Sequence, residues 1–366
     1  MTRVEITVPQ RSYTAVIESG LLARAGAVLQ EVVEDRKNVF VVTAPPVRRR
    51  WGKKLMASLS AAGFTVKVVE MPDGERHKKL ATMERLAFRL TRLGADRGAI
   101  IVALGGGVVG DVAGLLASLY MRGVEIVQIP TTVLAQVDAS IGGKTGVNLQ
   151  SGKNLLGTFH QPLSVLIDPA VLSTLPQREF RAGLYEALKC GVIGRPELFA
   201  RLEQVDVKAL RKDPAALEWI ITESVTLKAE VVSTDEREDG LRRVLNFGHT
   251  IGHALETESG YRRFLHGEAV AWGMIAAAYI AATVGQCSGQ TGARIANGVL
   301  GLGPLPRVIA RSSDVLRLLQ RDKKTRNGVV HFVLPREIGK AEIANDVPEK
   351  VVIESLNELR RLSALN

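Results

Sequence analysis

Between Asn38 and Ile167 the chain alternates short β-branched runs with amphipathic stretches, and nothing else in the sequence constrains the fold as much. The runs are Asn38–Thr43, Thr65–Glu70, Ala99–Leu104, Glu125–Ile129 and Ser164–Ile167. Between them lie helical patterns such as Val47–Ala62, stopped by Gly63, and Leu80–Leu93, stopped by Gly94. Such repetition builds a mostly parallel, doubly wound sheet whose ligands bind at the carboxyl ends of the strands. Ahead of it, Val4–Val8 and Thr14–Glu18 alternate with period two around Pro9–Ser12, a hairpin pattern, and Leu21–Val33 has helical spacing. After about Pro169 the pattern changes. Glu179–Gly191, Pro196–Leu210, Pro214–Val232, Thr250–Glu258, Glu268–Val284 and Ser313–Leu319 favour helix, and only Val329–Leu334 reads as a strand. The expected fold is an α/β N-terminal domain over residues 1–170, Rossmann-like, followed by an all-α C-terminal domain over residues 171–366. With no long linker, the two are expected to pack directly and form a cleft.

Composition removes several alternatives. Hydrophobic residues at 46% and charged residues at 23% exclude a disordered or collagen-like chain. Two apolar segments, Ala99–Met121 and Ala269–Gly285, resemble membrane spans. Asp111 and several glycines interrupt the first, and the second is mostly Ala and Gly, which insert poorly, so no membrane is expected. The start of the chain alternates like a strand and has no apolar core of a signal peptide. Two cysteines exclude a disulfide framework or a Cys-rich zinc module, which reads as cytoplasmic. The net charge of +10 calls for an anionic partner or none. With aromatics at only 5%, and the densest basic run (Arg48–Arg50, Lys53, Lys54) reading as a solvated helix face, a small anionic substrate fits better than nucleic acid.

Three groups of residues carry chemistry. Glycine is concentrated between Gly105 and Gly157, which hold 11 of the 35, more than double an even share. One cluster, Leu104-Gly-Gly-Gly-Val-Val-Gly-Asp111, directly follows a buried strand and opens a helix, where free backbone N–H groups bind phosphate. Its spacing is not the dinucleotide fingerprint, and a tight strand–helix turn would also use these glycines. The other, Ser140-Ile-Gly-Gly-Lys-Thr-Gly-Val-Asn148 with Ser151-Gly-Lys-Asn154, reads as an anion-binding loop; it lacks the first glycine of a P-loop, since Asp138 stands there. The third group is histidine. Half of the six histidines fall between Asn246 and His266, a metal or acid–base cluster. Spacing alone offers His249 and His253, at i,i+4 on one helix face, as a ligand pair. Lys189, Lys228, Arg242, Asn246 and Lys324 add a basic and amide set suited to an anionic substrate.

Taken in order, these residues resemble the 3-dehydroquinate synthase family of sugar phosphate cyclases over essentially the whole chain. The matching runs include Asp73-Gly-Glu-x-x-Lys78, Gly105-Gly-Gly-Val-Val-Gly-Asp111, Tyr120-Met-Arg-Gly123, Pro130-Thr-Thr132, Lys153-Asn154 and Leu172-Ser-Thr-Leu-Pro176. They continue through Glu186-x-x-Lys189, Lys228-x-x-Val-Val-x-x-Asp-Glu-Arg-Glu238, Leu245-Asn-Phe-Gly-His-Thr-x-Gly-His253, His266-Gly-Glu268 and Asp322-Lys-Lys324. The resemblance implies NAD and a divalent metal, Zn²⁺ or Co²⁺. It implies Glu186, His249 and His266 as metal ligands, which leaves His253 for substrate contact or proton transfer. Around NAD it implies Asp73, Gly74, Glu75, Lys78, Gly107, Val108, Val109, Gly110 and Asp111, then Thr131, Thr132, Lys144 and Lys153, and finally Val171, Leu172, Ser173 and Thr174. Toward the substrate it implies Asp138, Asn154, Lys189, Lys228, Arg242, Asn246, His253 and Lys324, with Arg122 reaching phosphate across a homodimer interface. One departure stands out: after Asn38–Thr43 the family places Asp or Asn for the adenosine ribose, whereas this chain has Ala44-Pro45-Pro46, which predicts looser NAD binding or compensation by Glu75 and Lys78.

The implied reaction converts 3-deoxy-D-arabino-heptulosonate 7-phosphate to 3-dehydroquinate and phosphate. Transient oxidation by NAD, β-elimination of phosphate, re-reduction, ring opening and aldol closure follow one another. A sister cyclase making a carbasugar or inosose would share this scaffold without a substrate carboxylate to bind.

Overall fold

The structure, a computed structural model, describes residues 1–9, 11–33, 37–150, 152–325, 330–345 and 347–365, without the side chains of 321–325. The chain forms two compact units, Met1–Leu175 with Arg211–Arg237, and Pro176–Leu210 with Glu238–Asn366. The change read near residue 170 is the first of three crossings between them.

The first unit is built on nine strands: β1 (Thr2–Val8), β2 (Arg11–Ile17), β3 (Asn38–Thr43), β4 (Thr65–Glu70), β5 (Ile100–Gly105), β6 (Glu125–Pro130), β7 (Lys144–Leu149), β8 (Gly152–Phe159) and β9 (Ser164–Ile167). Seven of them form one sheet in the order β1-β2-β9-β6-β5-β3-β4. All neighbours pair in parallel except the hairpin β1–β2, so the doubly wound reading holds. β5 is buried along its whole length, as an uninterrupted apolar run covered by helices on both faces must be. The winding reverses at β3. The chain goes outward to β4 and returns past β3 to β5, so a ligand crevice opens at the carboxyl ends of β3 and β5. Ala44 and the glycine turn after β5 both sit there.

Two features of this unit differ from the sequence reading. Of the glycine-and-lysine segment read as a loop, Ser140–Gly143 is a turn, but from Lys144 on it forms a separate antiparallel hairpin, β7–β8; Ser151 lies outside the described residues. Glycines hide the strand period here because two of them, Gly146 and Gly157, stand opposite each other. A Cβ on Gly157 would lie 2.0 Å from the Thr145 carbonyl oxygen, so the strands meet too closely for any side chain. The helix Pro214–Thr234, read with the C-terminal part, belongs to this unit. Asp213 caps it by accepting from the Ala216 amide, and it packs along β1, where Ser233 Oγ accepts from the Thr7 amide at 3.1 Å.

The second unit is helical apart from one hairpin. That hairpin pairs β10 (Phe332–Glu337) with β11 (Lys340–Ala344), so the strand begins later than the Val329–Leu334 expected, and Val329 lies outside the described residues. Two helices were missed from sequence, Gly289–Gly301 and Glu349–Leu365. At the centre stands His266–Thr283, the apolar segment that resembled a membrane span. It is buried nearly all round by the helices Gln177–Gly194, His249–Glu258, Gly289–Gly301 and Glu349–Leu365, which is why its sequence shows no polar face. Among the described residues no helix is long and apolar enough to cross a membrane.

We expect Gly157→Ala to lower the thermal stability of the protein, because the added methyl meets backbone that cannot rotate away. Overpacking of this kind costs about 1–3 kcal/mol, read as a lower Tm in a thermal melt with the β7–β8 hairpin as the only change.

Candidate active site

In the first unit the residues expected around a nucleotide gather where the winding reverses. The turn Gly105–Gly107 carries the chain from β5 into the helix Gly107–Leu119, whose first amide groups have no intrahelical acceptor. A Cβ on Gly106 would stand 2.9 Å from Thr132 Cγ2, so the turn leaves a space that only glycine keeps open. Thr131 is fixed beside it by the hydrogen bond its amide donates to the Gly105 carbonyl at 2.9 Å. Val171 and Leu172 are core residues of the turn Pro169–Thr174, and Thr174 Oγ1 accepts from Trp51 Nε1 at 3.3 Å. Asp73 and Lys144 are exposed.

Lys78 ties this region together. Its buried ammonium donates to Asp111 at 2.5 Å and to the Asn154 side-chain oxygen, and its carbonyl accepts from the Asn148 amide. Burial pushes the Asp111 carboxyl above the ordinary carboxylate range, and Lys78 pulls against it. Asn148 in turn donates to Glu75 at 2.7 Å and accepts from the Asn154 amide, while Lys153 approaches Glu75 at 3.9 Å. Asn154 is held in the left-handed region at φ 54, a strained position for a side chain other than glycine. Thus Lys78 and Glu75, the two residues offered as compensation for Ala44, are both engaged with neighbouring side chains. Asp138 pairs with Lys228, which donates to its carboxylate at 2.8 Å and to its carbonyl at 2.6 Å. Arg122 is exposed, with φ 69, just beyond the helix Gly107–Leu119.

In the second unit Glu186, His249, His253 and His266 converge. Glu186, on the helix Gln177–Gly194, is fully buried, and its Oε1 lies 3.9 Å from His249 Nε2 and 3.7 Å from His266 Nε2. One ring nitrogen from each of His249, His253 and His266 lies within 4.8 Å of the others. The rings of His249 and His266 are oriented from behind. His249 Nδ1 lies 3.2 Å from the Phe247 carbonyl and His266 Nδ1 lies 3.2 Å from the Glu256 carboxylate, so in the neutral rings each Nε2 is left as an acceptor aimed at Glu186. Glu186 Oε2 pairs with the buried Lys189 ammonium at 2.5 Å, while Oε1, the oxygen that faces the two imidazoles, has no hydrogen-bond partner. A buried carboxylate oxygen without a donor, facing two imidazole acceptors, favours a cation held between them. The donor set of one carboxylate oxygen and imidazole nitrogens suits Zn²⁺ or Co²⁺.

Close packing sets this geometry. A Cβ on Gly267 would fall 1.8 Å from the Ala182 carbonyl, and one on Gly273 would fall 1.8 Å from the Gly248 carbonyl. The backbones of the helices that carry Glu186, His249 and His266 therefore touch. Glu268 fixes the start of the His266 helix by accepting from the Leu265 amide at 2.8 Å and from Arg178 through both carboxylate oxygens at 2.7 Å. Arg242 is buried in the turn Leu241–Asn246, and Asn246 donates to Glu238 at 2.6 Å. Lys324 falls in the helix Ser312–Thr325, and its side chain lies outside the described residues. Sequence reasoning passed over Glu256 as a site residue; its one signal was position, two helical turns after His249.

Family models described as 3-dehydroquinate synthase N-terminal and 3-dehydroquinate synthase C-terminal match residues 68–182 and 183–325. Curated relatives include a 3-dehydroquinate synthase of Koribacter versatilis (strain Ellin345), 54% identical over 99% of each chain. Another, from Solibacter usitatus (strain Ellin6076), is 48% identical over 96% of this chain and 97% of the relative. Among solved structures, the 2-epi-5-epi-valiolone synthase of Streptomyces hygroscopicus subsp. jinggangensis 5008, with NAD⁺ and Zn²⁺ bound, has a TM-score of 0.89 at 32% identity, covering 97% of this chain and 99% of that one. An iron-containing alcohol dehydrogenase at 14% identity, with a TM-score of 0.70 over 99% of this chain and 100% of that one, shares the fold alone.

Replacing Lys78 by Met strands the Asp111 carboxylate, and we expect a loss of about 1.5–3 kcal/mol at neutral pH. Because burial raises the folded-state pKa of Asp111 and the variant lacks the opposing ammonium, the folded form takes up a proton more readily than the unfolded one. The deficit is therefore full at neutral pH and shrinks as the pH falls through the raised carboxylate range. Denaturant melts of parent and variant at a series of pH values check this; a deficit that grows on acidification contradicts it.

Proposed function

We propose that this chain, which belongs to the 3-dehydroquinate synthase family, converts 3-deoxy-D-arabino-heptulosonate 7-phosphate into 3-dehydroquinate and phosphate. The observation that carries the reading is Glu186 Oε1, a buried carboxylate oxygen with no hydrogen-bond partner, opposite two imidazoles whose far nitrogens are engaged. Glu186, His249 and His266 would hold Zn²⁺ or Co²⁺, and the ion supplies Lewis acidity to neighbouring substrate oxygens. The turn before the helix Gly107–Leu119, with Thr131, Thr132 and the segment Asp73–Lys78, would hold NAD⁺, which supplies a temporary hydride acceptor. Identity of 54% to a dehydroquinate synthase, against 32% to a valiolone synthase, supports a carboxylate-bearing substrate over that of a sister cyclase.

The protein's own groups then bind, orient and move protons. Lys228, Arg242 and Lys324 receive the carboxylate, and Asp138 holds the Lys228 ammonium in place. Lys189, Asn154 and Asn246 bind the hydroxyls and phosphate, where fixed cations favour charge as it develops. His253 carries a proton to or from a substrate hydroxyl. Arg122 serves the phosphate of a neighbouring subunit in a cytoplasmic homodimer. In support, Leu119 and Met121 beside it are exposed, as are Leu155, Leu156 and Phe159 of β8, which is tied to the end of the same helix by the Thr158–Ser118 hydrogen bond at 2.8 Å.

Phosphate release from the heptulosonate phosphate should require NAD⁺ while no NADH accumulates; NADH rising in step with product would point instead to a dehydrogenase. Glu186→Ala, His249→Ala and His266→Ala should each lose bound metal by elemental analysis, whereas His253→Ala keeps most of it and loses activity. Metal lost from His253→Ala but kept in His266→Ala would restore the i,i+4 pair. Lys324→Ala should weaken substrate binding roughly ten- to a hundredfold and leave NAD⁺ binding unchanged, as expected for a charge-assisted hydrogen bond.

A further inference from the structure

Glu256 sits on the helix His249–Glu258, seven residues after His249, and its side chain is only 3% exposed. A carboxylate this deeply buried is costly unless donors meet it. His266 supplies one, its Nδ1 lying 3.2 Å from Glu256 Oε2 while its Nε2 faces Glu186. The His249 helix thus contributes twice to the site, directly through His249 and indirectly through the group that turns His266. His249 is oriented by a neutral carbonyl, that of Phe247, so the two imidazoles differ in what stands behind them. A carboxylate behind an imidazole fixes its tautomer and raises its basicity, and loss of such a partner weakens metal binding by about 10–100-fold.

We propose that Glu256 is a positioning residue for the metal centre: its charge holds His266 in the tautomer that presents Nε2 to the ion and strengthens that bond. This rests on the assignment of His266 as a ligand. The role needs the negative charge as well as an acceptor, because an amide in the same place would orient the ring without raising its basicity.

The test strips metal from the full-length protein with a chelator and titrates Co²⁺ back against a chromophoric competitor, following the visible Co²⁺ spectrum. Parent, Glu256→Gln, Glu256→Ala and His266→Ala are compared, together with melts of the metal-free proteins. Affinity is expected to fall about tenfold in Glu256→Gln and about a hundredfold in Glu256→Ala, within the range for loss of such a partner. Glu256→Gln is nearly isosteric, so its metal-free Tm should match the parent's while the Tm gain on adding Co²⁺ shrinks. If Glu256→Ala does not fold, Glu256→Gln decides alone. Parental Co²⁺ affinity and spectrum in Glu256→Gln overturn the proposal. A fall in metal-free Tm with unchanged affinity overturns it too, in favour of a structural carboxylate. Parental affinity in His266→Ala overturns instead the ligand assignment beneath it.

Discussion

The buried carboxylate of Glu186 is the constraint on which the second unit depends. A charge inside a helical core has to be offset, and Lys189 pairs with Oε2 while Oε1 is left facing two imidazole nitrogens. The surrounding helices are arranged around that need. Gly267 and Gly273 let the backbones come into contact, which brings His249 and His266, each at the first position of its helix, to the same carboxylate oxygen. A first-turn histidine also places its ring beyond the end of the helix, where a ligand can approach it. Larger residues at the glycines would separate the helices and so draw His249 and His266 away from Glu186.

The first unit solves a different problem, that of leaving room for a polyanion at the end of a packed parallel sheet. Reversal of the winding at β3 opens the crevice, and small residues keep it open: Ala44 on one side and Gly105–Gly107 on the other. Around it the polar groups are joined to one another. Lys78 connects Asp111 to Asn154, and Asn148 connects Glu75 to Asn154, so the segment after β4 and the β7–β8 hairpin hold each other in register. The strain of Asn154 at positive φ is sustained by these bonds. The same logic pairs Asp138 with Lys228 and explains why the helix Pro214–Thr234 stays with this unit despite its place in the chain.

Local pattern determined much of this protein. The strands from β3 to β6 and β9 were legible as short runs rich in Val and Ile bounded by turns, β5 being apolar throughout, and helices such as Leu80–Arg92 because a charged face alternates with an apolar one. The glycine turn after β5 and the clustered histidines marked both candidate sites before any geometry was known. What the sequence did not show was what depends on contacts between distant segments. The β7–β8 hairpin was hidden because its glycines exist for strand–strand contact rather than for a turn. The helix Pro214–Thr234 looked like part of the helical half because periodicity records which face is buried and not against what. Spacing along one helix offered His249 and His253 as a pair, and the structure brings His266 within 4.8 Å of both. Tertiary structure showed Glu186, already named by the family motif, buried opposite His249 and His266, and added Glu256 behind His266, since burial of a charge, and the groups that offset it, are properties of the packed chain rather than of any one segment.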